Sequence, residues 1–329
     1  MNKKITIIVA LVFIMGLVGF TGVNAATYNQ PLYSTTQSTD MLDDAANQHN
    51  GGQVYYVDGN RINNDGDGTS WATAYSLLST AMAASHANIG LASNRAWAAR
   101  NTIYVRGDEI TEDFIKLAQK TDIIGVGSND AYGKAGVTGS WIIPDTVNYM
   151  GCHFYNVMFT DAGATALFDI DSQTGLEFHG CLFDSGTATT IGLQIEESGW
   201  LIVDNCEFSR VHASLGFATA AISVVDDTDA FYGARISNNR INTAGIGIDW
   251  NETESYNCII SDNTIYATGL VIDCESDDVT VVRNMLMTAV DCDTYAIGTG
   301  FDFDLKNAAG NILMGSGGGA IANEVPPLE

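Results

Sequence analysis

One six-residue pattern recurs seven times between residues 154 and 313, and it constrains the fold more than any other feature of the 329-residue chain. Each copy has an apolar residue, a variable residue, a turn residue, usually Asn or Cys, a variable residue and a large apolar residue. The copies are FYNVMF (154–159), FHGCLF (178–183), VDNCEF (203–208), ISNNRI (236–241), ISDNTI (260–265), VVRNML (281–286) and AAGNIL (308–313). They recur after 24, 25, 33, 24, 21 and 27 residues, which is the length of one solenoid coil.

Each position of the pattern has a physical explanation. The last position is Phe, Ile or Leu in every copy, so stacked copies would form an apolar ridge inside the coil. The third position is Asn, Asp or Gly in six copies, and these residues tolerate a left-handed bend between two short strands. The fourth position is Asn in the last four copies, where stacked amides can hydrogen-bond to one another. These asparagines are Asn239, Asn263, Asn284 and Asn311.

The pattern therefore predicts an all-β fold, a right-handed single-stranded parallel β-helix. Further strands are predicted in the same coils, for example IGLQI (191–195) and GIGID (245–249). No helix of three turns separates the strands, which argues against a doubly wound α/β fold. Ala, Leu and Met are frequent between residues 74 and 100, which predicts an N-terminal capping helix over the first open sheet edge.

The rest of the sequence predicts the domain organisation. Residues 1–25 are typical of a secretion signal, because Lys3 and Lys4 precede an apolar run and Val23-Asn24-Ala25 resembles a cleavage site. An uncleaved membrane anchor is the alternative, since the run nearly reaches the ~20 residues of a span. We interpret 26–52 as a flexible lead, 53–100 as a strand with the capping helix, 101–322 as the β-helix and 323–329 as a tail. The expected location is extracellular or on the cell surface.

The charge of the chain excludes one class of partner. Without the signal, 14 − 2 = 12 basic residues remain against 39 acidic ones, a net charge of 12 − 39 = −27. Nucleic acid is excluded, because its phosphates need a basic footprint. The acidity is typical of a soluble protein, of a salty habitat or of bound cations, and no segment after the signal predicts embedding in a membrane.

Cysteines and outward apolar residues leave two questions open. The six cysteines contain no CxxC pair, which argues against a zinc ribbon. Cys181 and Cys206 occupy one column of adjacent coils, where a disulfide and two buried thiols are both possible. Apolar residues predicted to point outward indicate a surface covered by loops or by another chain, as in an oligomer. These are Met158, Leu182, Met285 and Ile312.

A family resemblance rests on the segment before the coils. VYYVDGNRINNDGDGTSWATAYSLLSTAM (54–82), followed by NTIYVRG (101–107), resembles the entry segment of secreted right-handed β-helix proteins of the pectate-lyase-like superfamily. With the coils, the resemblance covers about residues 53–323. It implies a protein that engages extracellular polysaccharide, with polysaccharide lyase or glycoside hydrolase as the catalytic options. The superfamily also implies an alternative, a non-catalytic surface or structural module such as an adhesin, an appendage subunit or a tailspike-like fibre segment.

The candidate catalytic residues lie at the longest interval of the repeat. The loop 209–219 contains Arg210 and His212, and Asp184 occupies the corresponding exit of the preceding coil. Loops that emerge from a rigid β-helix are where a saccharide groove would form. Arg210 would clamp a carboxylate or act as a base, and His212 would carry a proton. The alternative is a solvated loop whose Arg is paired with nearby acids. The Arg-x-Lys motif of polygalacturonase-like hydrolases is absent from the sequence.

The candidate metal ligands are acidic residues that recur after the second strand of five successive coils. Unit charges stacked one strand apart repel by about 1 kcal/mol in water, which favours binding of a hard cation such as Ca²⁺. The alternative is a solvated acidic ridge. An identical melting temperature in calcium and in chelator would remove the calcium hypothesis. The candidate ligands are Asp226, Asp227, Asp249, Asp273 and Glu275.

Overall fold

The computed structural model describes most of the chain after residue 51. The described residues are 52–91, 99–107, 110–127, 134–144, 150–160, 163, 165–186, 190–196, 198–209, 216–225, 230–252, 254–274, 276, 279–288, 308–314 and 320–322. The predicted signal, the predicted tail and all of the predicted lead except residue 52 lie outside this set. In the part of the chain that the structure describes, no helix is long and apolar enough to cross a membrane.

Three parallel sheets run along the chain, and successive strands pass from one sheet to the next. Sheet A contains, in spatial order, β1 (Val54–Asp58), β2 (Asn101–Arg106), β4 (Thr121–Gly125), β7 (Cys152–Tyr155), β10 (Glu177–His179), β13 (Ile202–Asp204), β17 (Arg235–Ser237), β21 (Cys258–Ser261), β24 (Val279–Val282) and β26 (Ala308–Ala309). Sheet B contains β3 (Ile110–Thr111), β5 (Ala135–Thr138), β8 (Val157–Thr160), β11 (Leu182–Asp184), β14 (Glu207–Ser209), β18 (Arg240–Thr243), β22 (Thr264–Ala267), β25 (Met285–Thr288), β27 (Ile312–Met314) and β28 (Ala320–Ala322).

Sheet C and the shorter elements complete the coils. Sheet C contains β6 (Trp141–Ile143), β9 (Ala166–Ile170), β12 (Ile191–Ile195), β15 (Ala220–Val224), β19 (Ile246–Trp250) and β23 (Ile272–Cys274). A small parallel sheet joins β16 (Phe231–Tyr232) to β20 (Ser255–Tyr256). The helices that the structure describes are a 3₁₀ turn (Trp71–Thr73) and α1 (Leu78–Leu91). Among the described strands, β28 alone pairs antiparallel, with β27. The predicted all-β solenoid of parallel strands is confirmed.

A left-handed residue connects sheet A to sheet B in every copy of the repeat. All seven residues at the third position have φ between +54° and +67°. Six are Asn, Asp or Gly, for which this conformation costs little. Arg283 adopts it as well, with φ +56°, and its guanidinium pairs with Asp262 of the preceding coil at 2.6 Å. The predicted bend is therefore confirmed even at the copy whose residue type did not indicate it.

The predicted asparagine ladder lies just after these bends and is buried. Oδ1 of Asn263 accepts hydrogen bonds from the backbone N–H and the Nδ2 of Asn239, at 2.9 and 3.0 Å. Asn263 in turn donates from its backbone and from Nδ2 to Oδ1 of Asn284, at 2.9 Å each. Asn284 makes the same two bonds to Asn311. Each Nδ2 also donates to a main-chain oxygen of sheet A, so both amide hydrogens of Asn239, Asn263 and Asn284 are used.

Stacked apolar side chains fill the interior. Phe159, Phe183 and Phe208 are register neighbours in sheet B, and the last two stack with centroids 4.3 Å apart. The ridge continues through Ile241, Ile265 and Leu286, as predicted. In the first coils Trp141 lies between Phe114 and Phe168, with centroid distances of 3.7 and 5.0 Å. Along this ridge of sheet B, aromatic rings in the earlier coils are followed by aliphatic side chains in the later ones.

The N-terminal helix begins at a carboxylate from a distant part of the chain. Glu112 accepts hydrogen bonds from the backbone N–H groups of Leu78 and Ser79, at 2.6 and 3.2 Å, and from the Ser79 hydroxyl. A carboxylate at this end of a helix satisfies free donors and complements the helix dipole. Leu78, Ala81 and Met82 of α1 belong to the core next to Val57 and Ile103. The predicted capping helix is confirmed.

The cysteines that the structure describes are buried. They are Cys152, Cys181, Cys206, Cys258 and Cys274. The Sγ atoms of Cys181 and Cys206 donate to main-chain oxygens of sheet A, at 3.5 and 3.4 Å. Cys181 and Cys206 are therefore two buried thiols and do not form a disulfide. Burial raises the pKa of Cys152 to about 12, so this thiol stays protonated.

Replacing Asn263 with Ala interrupts the asparagine ladder at its centre and tests its energetic role. Buried donors and acceptors of the neighbouring coils lose their partners, and each such group costs about 1–3 kcal/mol. We expect Asn263→Ala to lower the free energy of unfolding by about 2–4 kcal/mol in urea titrations. The control is Thr264→Ala at the next, exposed position. Equal losses in the two variants would contradict a structural role for the ladder.

Candidate functional site

The structure describes three of the eight residues that the sequence proposed as site residues. Arg210, His212, Asp226, Asp227 and Glu275 lie outside the described residues, so their roles stay predictions. Asp184 is buried at the end of β11, where its Oδ1 accepts a hydrogen bond from Gly186 N at 3.3 Å. Asp249 and Asp273 are the other two.

Asp249 and Asp273 are register neighbours on adjacent strands of sheet C. They point away from the core in one column with Asp169, Gln194 and Ser223. Burial raises the pKa of Asp273, and a bound cation would oppose that rise. Among the residues that the structure describes, no three His, Cys, Asp or Glu side chains are grouped to hold a metal ion. Calcium binding stays a prediction.

Sequence reasoning missed a group of charged and aromatic side chains on the outer face of sheet A. We call it the polar cluster, and it consists of Arg100, Asp122, His153, Tyr155, Glu177 and His179. Parallel strands in register place alternate residues on the same face, one above the other. Asp122, His153 and Glu177 form one such column on three consecutive strands. Tyr155 and His179 occupy the next outward column.

Arg100 anchors one end of the polar cluster. Its Nη1 donates to Asp122 Oδ1 at 2.8 Å and to the main-chain oxygen of Gly151 at 3.0 Å. The two terminal guanidinium nitrogens also lie 3.1 and 3.2 Å from the two ring nitrogens of His153. The planar guanidinium therefore lies against the imidazole, an arrangement that a lysine ammonium could not reproduce.

Two carboxylates and two imidazoles alternate along the cluster. Nδ1 of His153 lies 3.2 Å from Asp122 Oδ1, and its Nε2 lies 3.5 Å from Glu177 Oε1. The other oxygen of Glu177 accepts a hydrogen bond from His179 Nε2 at 2.9 Å. The His153 side chain is 14% exposed, so it is held in place and still reaches the surface. The result is a continuous chain of polar contacts across three strands.

Tyr155 adds an aromatic surface to this chain. Its ring stacks on His179, with centroids 4.9 Å apart and planes 8° from parallel. Burial and the negative charges of Asp122 and Glu177 raise the pKa of Tyr155 to about 12. The phenol therefore keeps its proton at neutral pH, and its oxygen lies 3.5 Å from Nδ1 of His153.

Both carboxylates of the cluster are held in the ionised form. The hydrogen bond from His179 is the main cause that lowers the pKa of Glu177, against an opposing effect of burial. For Asp122, burial raises the pKa, but the His153 hydrogen bond and the Arg100 charge outweigh it, and the net pKa is lowered. A general acid in glycoside hydrolysis needs a raised pKa. The lowered pKa of both carboxylates therefore argues against either of them as a general acid.

The hydrogen-bonded surface continues along sheet A beyond the polar cluster. Asp204 follows His179 in register, and its Oδ1 accepts bonds from Ser237 Oγ at 2.6 Å and Asn238 Nδ2 at 2.9 Å. Arg235 donates from Nε to Ser237 Oγ at 3.1 Å. Sheet A thus presents arginine and histidine side chains, whereas the outward column of sheet C contains Asp169, Asp249 and Asp273. The acidic chain has a mixed-charge face on one side and an acidic face on another.

Comparisons with known proteins do not show a family. No protein-family model matches the sequence, and no curated protein matches it. A solved structure to which the chain is similar is ORF18 of Geobacillus virus E2, with 12% identity and a TM-score of 0.31. The match covers 86% of this chain and 65% of that one, so the chain spans about two thirds of that protein's length. A likeness at this level carries no argument about function.

The lowered pKa of Glu177 gives a pH dependence with a definite sign. The native state binds this proton less readily than the unfolded chain, for which the ordinary value is 4.5. The contribution to stability is therefore complete above that pH and is lost as the pH falls through the lower native pKa. We expect Glu177→Gln to lose about 1 kcal/mol at pH 7 in urea titrations, and the difference from wild type to shrink below about pH 4.

Glu207→Gln is the matched control for this pH dependence, because Glu207 pairs with Arg240 at 3.7 Å on the exposed surface of sheet B. Surface ion pairs contribute about 0–1 kcal/mol, so the control should follow wild type. Parallel curves for Glu177→Gln and wild type down to pH 3 would refute the assigned role of the carboxylate.

Proposed function

We propose that this protein is an exported β-helix protein that binds an extracellular polysaccharide on the outer face of sheet A. The polar cluster is the observation that carries the proposal. Its planar donors and acceptors come from consecutive strands, so they repeat at the ~4.8 Å strand spacing along a straight face. An extended polymer that lies along the coil axis meets a similar group at each step. A compact ligand would use one step only.

The preorganisation of the cluster supports binding. Arg100, His153 and Glu177 are fixed by contacts with one another, so little side-chain freedom is lost when a ligand binds. Each group still reaches the surface and keeps hydrogen-bonding capacity for hydroxyl or carboxylate groups of a sugar. Sugar recognition requires such directional polar groups beside aromatic surface, and Tyr155 and His179 supply the aromatic surface.

Binding without bond cleavage is the form of the proposal that the polar cluster favours, because neither of its carboxylates has the raised pKa that a general acid needs. Lyase or glycoside hydrolase activity would then depend on other residues, among them the predicted candidates Arg210 and His212. Secretion is part of the proposal through the predicted signal at residues 1–25.

A second candidate, a structural module that associates with another chain, is favoured by one observation on sheet B. Met285 and Ile312 are register neighbours on its outer face and are both exposed. Met158 and Leu182, which were also predicted to point outward, are half-buried and buried. A size measurement of the full chain separates the cases, since a monomer in solution argues against self-assembly through this face.

Polysaccharide binding can be tested with soluble glycans and variants of the polar cluster. We expect the wild-type chain to be retarded in affinity electrophoresis by at least one of polygalacturonate, alginate, xylan and mixed-linkage glucan. Arg100→Gln and His179→Gln should each weaken that affinity about tenfold, which corresponds to about 1.4 kcal/mol, or roughly one charge-assisted hydrogen bond. Melting curves confirm that the variants are folded.

Arg240→Gln on sheet B is the control for surface charge and should bind as wild type does. We expect the protein to bind the glycan and leave it intact. An absorbance from unsaturated uronate would instead reveal a lyase, and new reducing ends would reveal a hydrolase. No retardation by any of the four glycans would contradict the proposed function, as would equal binding by wild type and both cluster variants.

A further inference from the structure

A second row of left-handed residues marks the corner where each coil enters sheet A. The row is connected by backbone hydrogen bonds, from Gly151 N to Thr174 O, Gly175 N to Gly199 O, Trp200 N to Tyr232 O and Gly233 N to Tyr256 O. Gly151, Gly175 and Gly233 have φ between +67° and +70°, and Asn257 has φ +57°. Gly and Asn are the residues expected in this conformation.

Trp200 occupies this row with φ +61°, between Gly175 and Gly233. A bulky residue is strained in the left-handed region, and such strain concentrates at functional positions. The packing of the fold does not require the indole, because the side chain is 65% exposed. The sequence thus has its largest residue type at a corner where the fold favours glycine.

The indole lies flat on the chain with one face open. A Cβ atom built on Gly233 would meet three adjacent carbons of the Trp200 ring, at 2.8, 3.1 and 3.3 Å. The three distances are similar, so the face of the ring covers Gly233. If the edge of the ring pointed at Gly233, the three distances would differ more. With one face on Gly233 and most of the side chain exposed, the opposite face is turned to solvent. Glycine at position 233 is needed both for its φ of +70° and for this contact.

Two tyrosines extend the exposed aromatic surface along the coil axis. Tyr232 and Tyr256 stack with centroids 5.2 Å apart and planes 20° from parallel, and they are 50% and 42% exposed. We call Trp200, Tyr232 and Tyr256 the aromatic corner. An aromatic side chain offers roughly 200 Å², so the aromatic corner exposes roughly 300 Å². A stable protein interface needs about 800 Å² per partner, more than twice this area.

The surroundings of the aromatic corner are polar. Arg235 follows Tyr232 by three residues in the same coil, and Ser237 and Asp204 link it by hydrogen bonds to the column of His179. The corner therefore continues the face that contains the polar cluster. An open indole face beside hydroxyl and guanidinium donors is complementary to a sugar ring, which has an apolar C–H face and a hydroxyl rim.

We infer that the aromatic corner is a subsite for a neutral pyranose unit of the polysaccharide, with Trp200 stacked on the apolar face of the ring. This inference rests on the proposed function and specifies it: part of the ligand is uncharged, and it spans at least the coils from the polar cluster to Tyr256. The ring stacks on the open indole face, and Tyr232 and Tyr256 hydroxyls lie beside its rim.

The test uses the full chain with cellohexaose, xylohexaose and mannohexaose as neutral probes and polygalacturonate as a charged probe. We expect at least one neutral hexamer to bind and to shift the tryptophan emission to shorter wavelength. Trp200→Ala should weaken that affinity at least tenfold and remove the shift, and Trp200→Phe should weaken it less. Ile115→Ala is the matched control, because Ile115 is an apolar residue with the same exposure, 66%, and should change neither.

The variant Trp200→Gly separates binding from folding. Because the fold favours glycine at this corner, its melting temperature should equal or exceed that of wild type while binding is lost. Binding of polygalacturonate but of no neutral hexamer would overturn the subsite and leave the proposed function standing. Failure of every glycan would overturn both. Equal affinity of Trp200→Ala and wild type for the neutral hexamer would overturn the subsite. So would a wild-type protein that is a dimer in solution and becomes a monomer in Trp200→Ala.

Discussion

The hydrogen bonds between stacked asparagine side chains, together with the left-handed bends before them, are the constraint on which the rest of the structure depends. Each bend turns the chain sharply from sheet A into sheet B and leaves interior polar groups that water cannot reach. The side-chain amides of Asn263, Asn284 and Asn311 satisfy those groups from the next coil. A buried donor left unpaired costs about 1–3 kcal/mol, so a slip of one residue in the coils from Cys206 to Asn311 would be costly. The ladder therefore fixes the register of these coils.

A fixed register determines what the outer faces present. Residues that lie two positions apart in a strand share a face, and the same positions of the next coil lie one strand spacing away. This is why Asp122, His153 and Glu177, which are far apart in sequence, meet as a connected cluster. It is also why Trp200, Tyr232 and Tyr256 form one surface although three separate coils supply them. The face proposed to bind polysaccharide is a direct consequence of stacking without a register shift.

The fold could be predicted from the sequence because the repeat is a local signal that recurs at a regular interval. The bends, the ladder and the Phe183–Phe208 ridge all follow from aligning seven segments. Loops and acidic turns gave no indication of the polar cluster, because its residues lie in and next to the strands of sheet A. The aligned copies contained a usable signal: Tyr155, His179 and Asp204 follow the first apolar position in three consecutive copies, which predicts an outward polar column. The contribution of Arg100 to the polar cluster could not be predicted, since Arg100 precedes the first regular coil. The left-handed Trp200 could not be predicted either, because its residue type indicates the opposite.

The claim that the asparagine ladder holds the coils in register is tested most directly by amide hydrogen exchange. The backbone N–H groups of Cys206, Asn239, Asn263 and Asn284 each donate to the Oδ1 of the next ladder asparagine, at 2.8–2.9 Å. We predict that these four amides are among the slowest to exchange and that they share the free energy of opening of global unfolding. Fast exchange of these amides while the strands of sheets A and B remain protected would contradict the account.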